Sequence, residues 1–145
     1  MALATDRKGM HMTQLQQLSE PFPNHLVKAP PKGKFGSYVP HSAVTERLLA
    51  VVGPFGTRIA KVIYDNDHNV VGCILELTVN IDGERIYVQE AGDAENPGGR
   101  KNNGALLKDA ASDAIKRCAM RLGLGLHLWS QEDYFLYDYL ENNDE

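Results

Sequence analysis

The residues best suited to chemistry are cations gathered in one stretch of the chain. From Arg100 to Arg121 there are six basic residues (Arg100, Lys101, Lys108, Lys116, Arg117 and Arg121) and two acidic ones, Asp109 and Asp113. Phosphate backbones are held by point charges and guanidinium forks spaced along a surface, which one face of a helix supplies. The same cations have a structural use. Positive charge near a helix C-terminus complements the macrodipole. Asp113 is also placed to pair with Lys116 at i+3 or Arg117 at i+4. Phosphate binding therefore requires that these side chains face polyphosphate rather than their neighbouring carboxylates. The loop from Gly98 to Gly104 sets Arg100 and Lys101 just before a predicted helix N-terminus, a place that favours anions.

Other chemistries find less support. The glycine-rich loop lacks the Gly-x-x-x-x-Gly-Lys-Ser/Thr pattern of a nucleoside-triphosphate site. The five histidines stand at 11, 25, 41, 68 and 127, none at metal-ligand spacing from another His or Cys. Cys73 and Cys118 fall on apolar faces. They form no disulfide framework and fit a reducing compartment. No nucleophile elbow is present, and no cofactor is expected. Asp82, Glu84 and Glu90 lie on or near one hairpin; a metal-dependent nuclease uses such carboxylates, and a solvated strand explains them too. Trp129, Tyr134, Phe135, Tyr137 and Tyr139 cluster near the end among six acidic residues. That company disfavours phosphate and points to packing or a subunit contact. Phe55, beside glycine, and Arg58 after it are further candidates for nucleic-acid contact.

The elements that must position these residues read clearly in the middle of the chain. Residues 1–24 are polar and irregular, a loosely ordered arm with room for a short helix at 12–18. The run Lys28-Ala-Pro-Pro-Lys-Gly-Lys34 reads as an extended linker. A helix is predicted from about His41, with Ser42 as N-cap. Val44, Leu48, Val51 and Val52 share its apolar face, Glu46 and Arg47 point outward, and Gly53-Pro54 stops it. Strands are predicted at 59–64, 70–81 and 85–91. The second alternates strictly, with Val71, Cys73, Leu75, Leu77, Val79 and Ile81 on one face. Asp82-Gly83 is a type I′ hairpin signal. A long helix at 105–122 carries an apolar stripe of Leu107, Ala110, Ala111, Ala114, Ile115, Cys118 and Leu122. On it Lys116 lies opposite the stripe, and Arg117 and Arg121 lie on its border. A last helix at 131–140 starts at Ser130. The order predicts an α+β fold. An antiparallel three-stranded meander, with room for an extra edge strand, packs under a long helix, and short helices flank it. The expected division is an arm and linker at 1–37, a domain at 38–128 that carries the candidate nucleic-acid contacts, and an acidic aromatic tail at 129–145.

With 145 residues, 43% hydrophobic and 23% charged, the chain has the composition of one globular domain. No apolar run reaches the length of a membrane helix, and the N-terminus has no apolar core of a secretory leader. No membrane partner is expected. The net charge of −4 hides a segregated pattern. Residues 1–41 carry five Lys or Arg against two Asp or Glu, and 42–92 carry four against seven. Residues 93–128 carry six against four, and 129–145 none against six. The tail alone makes the chain acidic.

The segment Ala111-Ser-Asp-Ala-Ile-Lys-Arg-Cys-Ala-Met-Arg-Leu-Gly123 resembles the helix signature of the Rad fifty-two-type single-strand annealing proteins. Gly92 and the loop to Gly104 resemble the glycine-containing loop before that helix. Tyr38-Val-Pro-His41, followed by an apolar helix, a glycine and Phe55, resembles the family's start. The resemblance covers residues 38–126, and the phage-encoded branch is the most similar. It implies ATP-independent annealing of complementary single strands in recombination and repair. It also implies a ring or partial ring of subunits, with DNA in a basic groove, backbone inward and bases outward. Lys116 and Arg117 match the family's phosphate-contacting pair. Met120 stands where the family has a further basic residue, and Ser42 and Ala43 stand where it has another; Lys34, Arg58 and Lys61 are the candidate substitutes. Single-stranded DNA and other copies of the chain are the expected partners, with a single-strand-binding protein as a candidate. The expected location is the cytoplasm, of the host if the chain is phage-encoded. Helix–three strands–helix is also the order of a double-stranded RNA-binding module, the alternative to the annealing reading.

Overall fold

The strictly alternating segment forms the central strand of the sheet. In a computed structural model, which describes residues 12–29, 37–130 and 133–143, β2 spans Val70–Ile81. It pairs antiparallel on one side with β1 (Gly56–Tyr64) and on the other with β3 (Glu84–Asp93), in the order β1-β2-β3. Asp82 (φ 53°) and Gly83 (φ 80°) join β2 to β3. Both take the positive φ of a type I′ turn, whose twist matches the flanking strands. Between β1 and β2, Asp65 Oδ1 accepts from the amides of Asp67 (2.9 Å) and Asn69 (3.0 Å) and closes that turn. These hydrogen bonds hold the exposed Asp65 carboxyl below its usual range.

The long helix, Asn103–Met120, packs on this sheet. Its numbering here is α3, after α1 (Gln14–Ser19) and α2 (His41–Val52). It starts two residues before the expected boundary because Asn102 caps it, its Oδ1 accepting from the Ala105 amide at 2.9 Å. It ends at Met120, where Gly123 turns away at φ 89° and donates to the Met120 carbonyl. Its buried side chains are Leu106, Ala110, Ala114, Cys118 and Ala119; Leu106, rather than the expected Leu107, leads the stripe. On the facing side of β2, Cys73, Leu75, Leu77 and Val79 are buried, and Cys118 Sγ lies 3.7 Å from the Leu75 carbonyl.

The approach is closest at Gly92. A Cβ there would lie 2.1 Å from the Ala110 carbonyl and 2.6 Å from the Ala114 amide nitrogen. Only glycine on the strand and alanine on the helix allow that spacing.

The chain divides into two compact units. Pro54–Ala119 is the sheet unit just described; Met1–Gly53 with Met120–Glu145 is the second. In the second, α1 is fixed by a capping box, with Thr13 and Gln16 each bonding the other's backbone amide. Met12, Gln16, Leu18, Ser19 and Phe22 are buried, so this part of the expected loose arm is packed. The expected Ser42 cap is replaced. Helix α2 begins at His41, and the Pro40 carbonyl accepts from Ala43 without a side-chain cap. Gly53 ends it at φ 75° as expected.

Arg47 does not point outward. Its Nη1 donates to the carbonyls of Gln17, Leu18 and Glu20 at 3.1, 3.4 and 2.6 Å, and its guanidinium lies 4.4 Å from the Phe22 ring centroid. The carbonyls at the end of α1 have no intrahelical donor, and Arg47 satisfies them. Of the expected helix at 131–140, residues 131–132 lie outside the described residues; a short α4 (His127–Ser130) precedes it, and helix resumes as α5 (Leu136–Asn142). Ser130 ends the first rather than capping the second. Residues 30–36 of the expected linker lie outside the described residues; on either side of them Lys28 and Tyr38 pair as an antiparallel bridge.

Candidate nucleic-acid interface

The loop that delivers α3 is closed by one side chain. Asn96 accepts from the Lys101 amide (2.9 Å) and donates to the Lys101 carbonyl (3.0 Å). Gly98 and Gly99 turn between them at positive φ. Asn103 then ties the helix start to the β1–β2 turn, accepting from Val70 N and donating to His68 O, both at 2.9 Å. The loop is thus a stapled entry to α3. Of its two cations, Lys101 reaches back to Asp109 at 2.7 Å. Arg100 is exposed and has no ion-pair partner among the described residues.

Along α3, Lys108 is exposed, Lys116 half-buried and Arg117 half-exposed. Arg117 Nε donates to Asp113 Oδ2 at 3.1 Å, and the same oxygen accepts from the Asp93 amide at 3.0 Å. Asp113 therefore joins the end of β3 to the arginine one turn further along the helix. Lys116 does not stand wholly in water opposite the stripe. Burial lowers its pKa, and the Asp113 charge opposes the shift.

The eight candidate residues do not form one surface. Lys108, Lys116 and Arg117 share α3, and Arg100 and Lys101 precede it. Arg58 lies on the sheet face turned away from α3, at 3.6 Å from Glu76. Phe55 is half-buried just before β1. Arg121 is exposed beyond the end of α3, in the other compact unit. Arg58, Lys101 and Arg117 pair with carboxylates of their own unit. This is the local use the sequence left open.

The thiols are unsuited to nucleophilic work. Cys118 Sγ lies 3.7 and 3.5 Å from the carbonyls of Leu75 and Val88, and burial raises its pKa to about 11. Burial raises that of Cys73 too. Among the described residues, no three His, Cys, Asp or Glu side chains group as a metal site, and no helix is long and apolar enough to cross a membrane. The terminal aromatics split in use. Tyr137 is buried and Tyr134 donates to the Ser19 carbonyl, whereas Trp129, Phe135 and Tyr139 are exposed. A hollow of about 310 Å³ in the helical unit is lined by Glu20, Pro21, Tyr134, Tyr137 and Asp138, an acidic and aromatic lining unlike that of a phosphate site. Comparison with protein-family models and with curated proteins gives no match.

Proposed function

We propose that this chain binds single-stranded DNA without sequence preference, through phosphate contacts from α3, and anneals complementary strands without ATP as a homo-oligomer. The observation that carries this reading is the Lys116–Arg117 step. Two adjacent cations stand on an 18-residue helix whose seat on the sheet is set by the close approach at Gly92. Lys108 extends the cations about 12 Å toward the helix start. Charges held on a rigid element lose little freedom when they bind. The Asp113–Arg117 pair is partly exposed, and such pairs are worth at most about 1 kcal/mol. A phosphate can therefore displace that carboxylate from Arg117 at little cost.

Annealing needs no nucleophile or general base. Phosphates held by cations give affinity through counterion release, and bases left uncovered can test a second strand. One protomer offers few charges, so useful affinity needs many copies along one strand, in a ring or partial ring. Recombination and repair in the cytoplasm, with a single-strand-binding protein as a further partner, follow from this reading.

Anisotropy titration of a labelled oligonucleotide tests it. Affinity should fall steeply with salt. Lys116→Ala with Arg117→Ala should lower it at least tenfold and reduce the log–log salt slope by about 1.4, two contacts at ~0.7 each. The thermal melt should be unchanged, and ATP-free annealing should fall with binding. Unchanged affinity contradicts the proposal. Preference for duplex RNA in competition would favour a groove-reading module instead.

A further inference from the structure

The sheet face turned away from α3 has a pattern of its own. On a regular strand Arg58 and Lys61, three residues apart, point to opposite faces. In β1 the register shifts between Ile59 and Lys61, so Arg58 stands opposite Glu76 and Lys61 opposite Ile74. Those partners are two apart on β2 and share one face. The bulge at Ala60 thus brings both cations to the open surface. It also keeps Ile59 and Val62, opposite Leu75 and Cys73, on the inner side. Arg85, opposite Asn80, and Tyr87, opposite Thr78, add to the open face from β3. Tyr87 is 59% exposed, and Arg58, Lys61 and Arg85 are exposed with it.

The charge on this face is not self-cancelling. Glu76 is engaged by Arg58 at 3.6 Å and by the Gln89 amide at 3.0 Å. Lys61 and Arg85 have no ion-pair or hydrogen-bond partner among the described residues. Asp93 shares the face but stands opposite Gly72, beyond the Lys61 end. From Lys61 to Arg85 a net positive surface runs about 20 Å, the six-residue span of their β2 partners. Beside Tyr87 the floor is low. Its neighbour across the sheet is Thr78, and beyond that is Gly56. A Cβ on Gly56 would meet only Thr78 Cβ, at 4.0 Å. An exposed ring over small residues, with cations spread along the same face, suits a base in stacking contact with phosphates of its strand held along the sheet.

We propose that this open face is a second binding surface, for single-stranded nucleic acid, separate from α3. One base stacks on Tyr87, Arg85 takes an adjacent phosphate, and Lys61 takes a phosphate about three nucleotides further along the strand. The surface stands on its own observations and does not depend on the α3 reading.

Ultraviolet crosslinking of the full chain to an iododeoxyuridine-containing single-stranded oligonucleotide, with the adduct mapped by mass spectrometry, tests it. The adduct should fall on Tyr87. Lys61→Ala with Arg85→Ala should weaken binding at least fivefold. Tyr87→Ala should remove the adduct and weaken binding, while Tyr87→Phe keeps the affinity. These side chains are exposed, and circular dichroism melts check that each variant folds. If the Lys61, Arg85 and Tyr87 variants bind as the parent does and no adduct forms at Tyr87, this surface is overturned, whatever the α3 variant does. If the α3 variant binds normally while these lose binding, the α3 reading falls and this one stands. Protection of Tyr87 by an acidic peptide of residues 133–143, and not by the oligonucleotide, would also overturn it.

Discussion

In the sheet unit, α3 meets β3 backbone to backbone at Gly92; in the helical unit, short elements meet through polar side chains that reach distant carbonyls. Gln14 donates to Val51 O (3.1 Å), Gln16 to Leu140 O (3.0 Å), Arg47 to three carbonyls at the end of α1, and Tyr134 to Ser19 O. Helices of six, four and seven residues are too short to persist alone, so these long-range bonds substitute for helix length. The sheet unit has side-chain ties of its own, from Asn103 to Val70 and His68 and from Asp113 to Asp93, but its strands also share a continuous ladder and one apolar face. The contrast separates two uses of arginine. Arg47 is consumed in holding its unit together, whereas Arg117 stays half-exposed, paired with one carboxylate on a rigid helix. Cations that build a fold and cations that serve a surface are told apart by what surrounds them.

The contrast can be broken at the close approach first. Gly92→Ala places a methyl group against the Ala110 carbonyl and should cost about 3 kcal/mol, the upper range for overpacking, read from the urea midpoint. Hydrogen exchange should quicken along α3. Exchange that quickens only in α1 and α5 would show that Gly92 does not seat the helix.

Arg47→Met is the corresponding test of the helical unit. It leaves three carbonyls without their charged donor and should cost about 2 kcal/mol, with faster exchange at the end of α1. A loss below a few tenths of a kcal/mol, as for an exposed ion pair, would return Arg47 to the surface role expected from its place in the sequence.

The smallest effect is in pH. Phe22 N–H donates to His127 Nε2 at 3.3 Å, which leaves the neutral ring's proton on Nδ1. Nδ1 is buried without a hydrogen-bond partner among the described residues. Burial, with the Arg47 charge second, lowers the His127 pKa, and the Tyr134 ring packs edge-on at 5.8 Å. The unfolded chain takes up this proton near pH 6.5, and the folded chain takes it up only at lower pH. Stability from this group is therefore complete above about pH 6.5 and declines as pH falls toward the folded value. Denaturant titrations of the parent at pH 7 and pH 5 should show the decline, and His127→Phe should flatten it. Parallel curves for the two proteins would remove His127 from the account.

The sheet unit was largely legible because its signals are periodic. The alternation in β2 matched its bounds, and Asp82-Gly83 marked the hairpin. The alanine stripe of α3 was shifted by one residue at Leu107. In the helical unit the capping box at Thr13 and Gln16 was readable in principle, but the bonds that matter span 27 to 124 residues. Such separations leave no periodic trace. Arg47 occupied an exposed-looking position on its own helix, and only α1 and Phe22, far away in the chain, made it interior. Among the site residues, Lys108, Lys116 and Arg117 could be assigned to one helix from spacing alone. That Asp113 also holds the end of β3, or that Arg58 faces away from α3, could not.

Local composition and spacing determined the central alternating strand, its hairpin turn, the small-residue helix and the cations that helix carries. Each follows from rules acting over a few residues, where steric preference and hydrophobic period decide. Tertiary structure alone decided which cations are consumed by carboxylates, which guanidinium is interior, and that a bulge at Ala60 places Arg58 and Lys61 on one face. Those outcomes depend on groups far apart in the chain and on pairing register, and a one-residue change of register reverses the face of every side chain.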